Sequence, residues 1–405
     1  IVNSQHGFLP GRSVTTNLIN YMNSITRALD VGESFDAILV DFQKAFDKVP
    51  FDGMLAKCRA HGIDGKLLEW LRNWTTNRRQ RVVLNGIESS WTDVLSSVVQ
   101  GSVLGPILFV IYINDIDAKV LAADNEITVS KFADDTKIGR TIVHEHDSKK
   151  LQQGLDSLVE WCHEWGMSLH PNKCVVLHFG QKNPQHDYYI GGSKINSENV
   201  ARRDLGVLVS VDCEPSAHIE KITKKAHGVL SQIRRATIVR DSHTVTKLYS
   251  TYVRPLLESA MPAWNPHKRG DVEALEKVQK RSLRMIGALG GLSYKEKLKK
   301  VNIQSLECRR VRGDMIELYK YLNGFNDVEC GELFSFVKDR HNKETRSRSE
   351  NRLVPEKTRL DIRKYFFSNR VIEVWNNLPC EVKEATSVNN FKNRYDEHLM
   401  MYNSY

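Results

Sequence analysis

The chain has 405 residues, 41% hydrophobic and 26% charged, which is room for about two or three domains with real cores and rules out a disordered polymer. Mean hydropathy is -0.41 and no apolar run approaches about 18 residues, which argues against a membrane span. The formal charge of +9 is uneven: residues 1–214 carry 22 Lys and Arg against 26 Asp and Glu, a net of -4, and the rest carry 36 against 23, a net of +13, a split that suggests chemistry in one half and polyanion binding in the other.

Residues 13–30 place Val14, Leu18, Tyr21, Met22, Ile25 and Leu29 near helical spacing and predict an amphipathic helix. The run 35–42 (FDAILVDF) is a short apolar, β-rich strand that closes on Asp41 and Phe42. Helices are expected at 51–60 and 65–76, the second with Leu67, Leu68, Trp70, Leu71 and Trp74. Segments 81–84 and 91–99 flank Asn85-Gly86, a strong hairpin signal, and 104–116 reads as a buried helix introduced by Gly105-Pro106. Two β-rich runs, 127–133 and 136–143, meet at Asp134-Asp135, which puts both acids at a tight turn. A helix over 148–166 and strands at 175–179 and 205–209 complete an α+β region that ends near residue 212.

Beyond it the segments 216–237, 242–260 and 270–290 read as long helices dense in Lys and Arg, the last with an apolar stripe of Leu275, Val278, Leu283 and Ile286. The polar stretch 338–352 reads as a loop or linker, and 360–402 as a final unit carrying Tyr365, Phe366, Phe367, Trp375 and Phe391. The expected division is therefore 1–212, 213–337 and 338–405. Seven cysteines are scattered without Cys-x2-Cys spacing, so they read as reduced thiols of an intracellular protein rather than zinc ligands or disulfides. The opening Ile-Val-Asn-Ser has neither an initiator Met nor a basic-then-apolar stretch, and reads as a fragment without a secretory signal.

Three carboxylates stand out by position. Asp41 closes a strand, and Asp134 and Asp135 occupy a hairpin tip. If the two elements are neighbours, like charges about 4 Å apart repel by about 4 kcal/mol at an effective dielectric of about 20. Protonation or a hard divalent cation relieves that conflict, and Mg²⁺ takes a few carboxylates together with substrate phosphate. Ordinary turn chemistry and a strand end account for the same residues, and spacing alone does not choose between the readings.

The order of the segments adds a further signal. Gln5-His6-Gly7-Phe8-Leu9-Pro10-Gly11-Arg12-Ser13 resembles the segment ahead of the active-site strand in reverse transcriptases of non-LTR (LINE-type) retrotransposons. Val40-Asp41-Phe42-Gln43-Lys44-Ala45-Phe46-Asp47 is similar to their motif A, and Gln100-Gly101-Ser102 with Leu104-Gly105-Pro106 to motif B. Phe132-Ala133-Asp134-Asp135 resembles motif C. Trp165-Gly166-Met167-Ser168-Leu169 with Pro171-Asn172-Lys173 resembles motif D, and Leu205-Gly206-Val207 motif E. The C-terminal stretch, with Phe366-Phe367, Trp375-Asn376-Asn377-Leu378-Pro379 and Phe391-Lys392, resembles the matching region of jockey-like elements.

The resemblance implies a right-hand polymerase palm, a mixed or antiparallel sheet with helices, followed by a mainly α-helical thumb and C-terminal region. It implies RNA-directed DNA polymerisation from deoxynucleoside triphosphates on an RNA template and a DNA primer. Asp41, Asp134 and Asp135, with the backbone carbonyl of Phe42, would hold two Mg²⁺ ions, with Mn²⁺ as an alternative. Phe46 would lie beneath the sugar and exclude a ribose 2′-OH, unless it is simply a core aromatic, and Gln100 and Gly101 would line the nucleotide pocket. Lys173 would protonate the leaving pyrophosphate; a surface lysine after Pro-Asn is the plainer alternative. Leu205, Gly206 and Val207 would sit on the primer grip, while Lys224, Lys225, Arg234, Arg235, Lys280, Arg281 and Arg284 would track phosphates. Trp264 and Trp375 read as thumb core.

The chain also departs from the family pattern. It begins just before the Gln5 segment, so the upstream fingers strands are expected to be missing. Ser97-Val98-Val99-Gln100 stands where the family usually has Gly-Val-Pro-Gln. No endonuclease domain or Cys/His knuckle is seen, so an endonuclease domain or RNA-binding protein would belong to a longer polypeptide. A retrotransposon protein of this kind is expected in nucleus and cytoplasm. The alternative function is a catalytically inactive remnant that binds nucleic acid.

Overall fold

A computed structural model describes residues 1–336 and 352–402. The expected linker 338–352 lies outside the described residues except for Arg352. The fold is mixed α+β, and its described residues form two compact units, Ile1–Asn17 with Gly32–Asn199, and Leu18–Val31 with Val200–Tyr405.

Helix α1 (Val14–Asp30) is shared by the two, and β1 (Ser34–Val40), α2 (Phe51–Ala60) and α3 (Gly65–Thr75) follow in the first unit. Four short strands come next: β2 (Arg79–Gln80), β3 (Val83–Leu84), β4 (Ile87–Glu88) and β5 (Thr92–Asp93). Then come α4 (Leu104–Tyr112), α5 (Ile116–Ala123), β6 (Thr128–Phe132), β7 (Asp135–Ile142), α6 (Glu145–Glu164) and β8 (Val175–Phe179). The unit closes with β9 (Tyr189–Ile190), β10 (Ser193–Lys194) and β11 (Asn196–Glu198).

The main sheet has the order β11-β8-β1-β7-β6, antiparallel except where β11 runs parallel to β8. As its middle strand β1 is buried nearly throughout, which is why its sequence reads as an apolar run, interrupted at Asp36, rather than as an alternation. Ile38, Val40, Ile138 and Val176 of the sheet share one core with Met54 and Leu55 of α2, Phe109 and Tyr112 of α4, and Leu151, Leu155, Leu158 and Trp161 of α6. The continuous helix expected over 104–116 is instead two, because Asn114 and Asp115 interrupt it. Their side chains leave the helix to pair with the Val2 amide and with Lys57, the usual way Asn and Asp compete with a helical backbone. The strand expected over 91–99 is reduced to Thr92–Asp93. Ser96 and Ser97 abandon the ribbon, Ser96 Oγ donating to the Asp47 carbonyl and the Ser97 amide to that of Val49.

The second unit adds β12 (Ala201–Asp204) paired with β13 (Val207–Ser210), then α7 (Ser216–Ala236), α8 (Ser242–Leu248) and α9 (Arg254–Glu258). A π turn, Tyr249–Val253, breaks the single helix expected over 242–260. Pro255 has no N–H to donate, and the wider turn accommodates its ring. Helices α10 (Met261–Trp264), α11 (Arg269–Leu283), α12 (Tyr294–Val301) and α13 (Leu306–Leu322) follow, then four more over Asp361–Lys364, Phe367–Asn377, Cys380–Lys383 and Val388–Tyr402. Met315, Leu318, Tyr319, Phe334, Phe367, Trp375 and Phe391 lie in one core together with Ile19 of α1. The compact division therefore falls at 199/200 rather than 212, and the boundary expected at 337 cuts through a shared core. All seven cysteines are free thiols. Among the described residues no helix is long and apolar enough to cross a membrane.

Candidate active site

The last rung of β1 against β7 pairs Val40 with Thr136, so the antiparallel register carries Asp41 toward the level of Asp135 at the start of β7. The main chain of Asp41 is gripped from its other side by residues 168–174. Its N–H donates to the Sγ of Cys174 at 3.3 Å and its carbonyl accepts from the His170 amide at 2.8 Å. The Gln43 amide donates to the Ser168 carbonyl at 2.8 Å. Neither backbone bond to residues 168–170 uses the Phe42 carbonyl, one of the expected ligands. From the same loop Lys173 brings its Nζ to 4.0 Å from the Asp41 carboxylate, with both side chains substantially exposed.

Phe132 pairs with Asp135 at the end of the β6–β7 hairpin, so Ala133 and Asp134 are its two-residue tip. Ala133 takes a left-handed φ of 55°. Asp134 is half-buried and Asp135 exposed. The Asp134 carboxyl is raised above its usual range, first by burial and then by the charge of Asp41. The hairpin tip and the end of β1 thus bring two carboxylates into electrostatic contact. Among the described residues no three carboxylate, imidazole or thiol groups stand close enough to hold a metal between them. A pair of carboxylates, Asp134 half-buried and Asp41 with its side chain substantially exposed, is nevertheless a donor set that suits a hard divalent cation, which takes the rest of its oxygen ligands from water and substrate.

The residues expected around a nucleotide also lie close together. Phe46 is half-buried, stacked on Phe109 at 4.2 Å and 16°, and met edge-on by Phe8 at 6.4 Å and 87°. Its carbonyl accepts from the Val98 amide at 3.0 Å. Gln100, exposed, donates from Nε2 to Asp47 Oδ1 at 2.6 Å, and Gly101 follows with φ 77°. The chain after Asp41 and the chain before α4 are therefore tied together by backbone and side chain. The pairing of Gln100 with Asp47 is not apparent in the sequence, where nothing marks Asp47 beyond its place in motif A. Ser97 holds a φ of 145°, a region that favours glycine, and its carbonyl and Oγ both accept from Arg78 Nη2, at 3.1 and 3.0 Å.

The family pattern described as reverse transcriptase (RNA-dependent DNA polymerase) matches residues 1–215, more than half of the chain. The chain belongs to the reverse transcriptase family. Its relatives include the RNA-directed DNA polymerase from mobile element jockey of Drosophila funebris, 26% identical over 294 residues, or 70% of this chain and 31% of that protein. The probable RNA-directed DNA polymerase from transposon BS of Drosophila melanogaster is 23% identical over 299 residues, 70% of this chain and 32% of the other. The chain thus spans about a third of the length of the curated relatives it matches. Among solved structures, telomerase from Candida albicans in complex with a fragment of telomeric RNA aligns at 11% identity with a TM-score of 0.43, covering 75% of this chain and 55% of that one.

Within the second unit of this reverse transcriptase chain, Leu205 and Gly206 form the turn between β12 and β13. Both have positive φ, 45° and 91°, as a type I′ hairpin turn requires. Val207 begins β13, and the next amide, that of Leu208, donates to Nδ1 of His218 on α7 at 3.1 Å. Burial, and then Lys221, lower His218 to about 4, so its ring is a neutral acceptor. Lys224, Lys225, Arg234, Arg235 and Arg284 are exposed. Arg281 instead contacts Ser231 Oγ at 3.1 Å and His227 Nδ1 at 3.3 Å, and Lys280 lies over the Tyr294 ring at 5.0 Å. Those two cations have packing roles that a charge count does not reveal. Trp264 and Trp375 are both buried, as expected of core residues.

Proposed function

We propose that this chain is the polymerase portion of a non-LTR retrotransposon protein and extends a DNA primer on an RNA template. The observation that carries the reading is the register that sets Asp41, just past the end of β1, beside the β6–β7 turn that holds Asp134. Asp41 and Asp134 would hold Mg²⁺, or Mn²⁺, with Asp135 and the Phe42 carbonyl completing a two-ion site. When bound, the ions supply activation of the primer 3′-hydroxyl and stabilise the leaving oxygen in an in-line displacement.

The protein side chains have separate tasks. Lys173, beside Asp41, offers a proton to the departing pyrophosphate. Phe46, backed by Phe109, leaves no space for a 2′-OH and selects deoxynucleoside triphosphates. Gln100 and Gly101 line the pocket, and the turn at Leu205, Gly206 and Val207 supports the primer end. Lys224, Lys225, Arg234, Arg235 and Arg284 bind template and primer phosphates, with Lys280 and Arg281 contributing charge from their packed positions. On the intact polypeptide an endonuclease domain or RNA-binding protein would accompany this region, acting in nucleus and cytoplasm.

Primer extension on poly(rA)/oligo(dT) with Mg²⁺ tests the proposal. Extension by the unmodified chain that Asp134→Ala abolishes is the expected result. Extension unchanged in that variant removes the site.

A further inference from the structure

The turn that carries Asp134 has an unusual support. Residues 4–6 lie along β6 as one further, parallel rung: the Lys131 amide donates to the Ser4 carbonyl and the His6 amide to the Lys131 carbonyl, both at 2.8 Å. From this rung Gln5, only 1% exposed, reaches past the strand end. Its Oε1 accepts from the Ala133 amide at 2.9 Å and from the Gly7 amide at 2.7 Å.

Three features indicate that this bond is built for the turn. Ala133 occupies left-handed backbone without the glycine or asparagine that normally takes it, so something outside the turn must hold it. The Gln5 Nε2 has no partner, so the amide is retained for its oxygen at the cost of a buried, unsatisfied donor. A Cβ on Gly7 would stand 2.4 Å from the Ala133 nitrogen, which reserves that approach for glycine. Behind them, Arg12 Nη1 donates to the carbonyls of Val2, Asn3 and Gln5 at 2.9, 3.0 and 2.7 Å. His6 Nδ1 lies 2.8 Å from Thr16 Oγ1. The segment is thus fixed on its own account.

We propose that Gln5 is a positioning residue: through its Oε1 it clamps the Ala133 amide and so sets where the Asp134 carboxylate stands toward Asp41. This rests on the reading of Asp41 and Asp134 as a divalent-cation site.

The test uses the full chain and two readouts: hydrogen exchange of the peptide spanning residues 131–136, and titration with Mn²⁺ alone, followed by electron paramagnetic resonance. Gln5→Met, which keeps the shape and removes the acceptor, should speed Ala133 exchange about tenfold and weaken Mn²⁺ binding several-fold. Gln5→Glu, which keeps an oxygen at the same reach, should restore both. Gln5→Asn, one methylene too short to reach the Ala133 amide, should show the same two losses and decides the matter if the Met variant does not fold. Wild-type exchange and Mn²⁺ affinity in the Met or Asn variant would overturn the proposal, as would a Glu variant no better than Met. Wild-type protein that binds Mn²⁺ no better than Asp134→Asn would sink the cation site instead, while the exchange arm still judges the clamp.

Discussion

The backbone N–H of Asp41 donates to the Sγ of Cys174 across 3.3 Å. A buried cysteine one residue beyond Lys173 therefore anchors the first aspartate of the site. Burial foremost pushes the Cys174 thiol up, so it stays protonated and unreactive. In the native protein iodoacetamide should label the exposed Cys308 and Cys380 and spare Cys174, as read by mass spectrometry. Cys174→Ala leaves the Asp41 amide without its acceptor and should slow primer extension about tenfold, with Cys174→Ser recovering most of it.

The Asp134 carboxyl, raised by burial and then by Asp41, sets a pH dependence of stability. Between the ordinary aspartate value of about 3.9 and its own higher value, the folded chain keeps a proton that the unfolded chain has lost. Stability falls as pH rises through that window, and the penalty persists above it. Without divalent cations, Asp134→Asn should therefore have a higher Tm than wild type at neutral pH. The advantage should fade as pH drops toward about 3.9 and shrink when Mg²⁺ is added at neutral pH. A variant that melts lower than wild type at neutral pH would contradict the unfavourable charge.

Ser97 combines a φ of 145° with an Arg78 bond to its Oγ at 3.0 Å. Replacement by Ala discards the bond and keeps the backbone strain, costing about 1–2 kcal/mol. Replacement by Gly discards the same bond and relieves the strain, so it should cost about 1 kcal/mol less than Ala. Urea denaturation of the pair measures the difference, and equal midpoints would mean that the backbone is unstrained.

Phe46 is held flat against Phe109 at 4.2 Å. A smaller side chain there opens space where a ribose 2′-OH would sit. Phe46→Val should raise the use of ribonucleotides relative to deoxynucleotides by about tenfold or more, a specificity shift of about 1.4 kcal/mol. Phe109→Leu should lower activity without changing that ratio. Single-nucleotide insertion with each sugar gives both numbers.

The positions of Asp41 and Asp134 were legible because strand ends and turn tips are local features. The apolar run 35–42 and the pair of β-rich runs around Asp134 mark them within a few residues. Which of the neighbouring acids is shielded was not legible: Asp134 is half-buried and Asp135 exposed, a consequence of register and packing. The left-handed Ala133 also escaped notice, because its support comes from Gln5, 128 positions away. The break at Tyr249–Val253 had a local cause in Pro255 and could have been read. The membership of residues 18–31 in the second unit could not, since an amphipathic stripe says that a helix is covered but not by what.

That membership has a consequence for how the protein is made. Arg363, almost wholly buried, donates to Asn23 Oδ1 at 2.8 Å across 340 positions of chain, and Ile19 lies in the same core as Phe391 and Tyr395. Helix α1 leaves the ribosome well ahead of the residues that cover it, Arg363 following Asn23 by 340 positions. Until those residues emerge, its apolar face must wait exposed or be sheltered by a chaperone. A recombinant chain cut at residue 215, the end of the family match, would keep that face uncovered permanently and should be recovered in inclusion bodies.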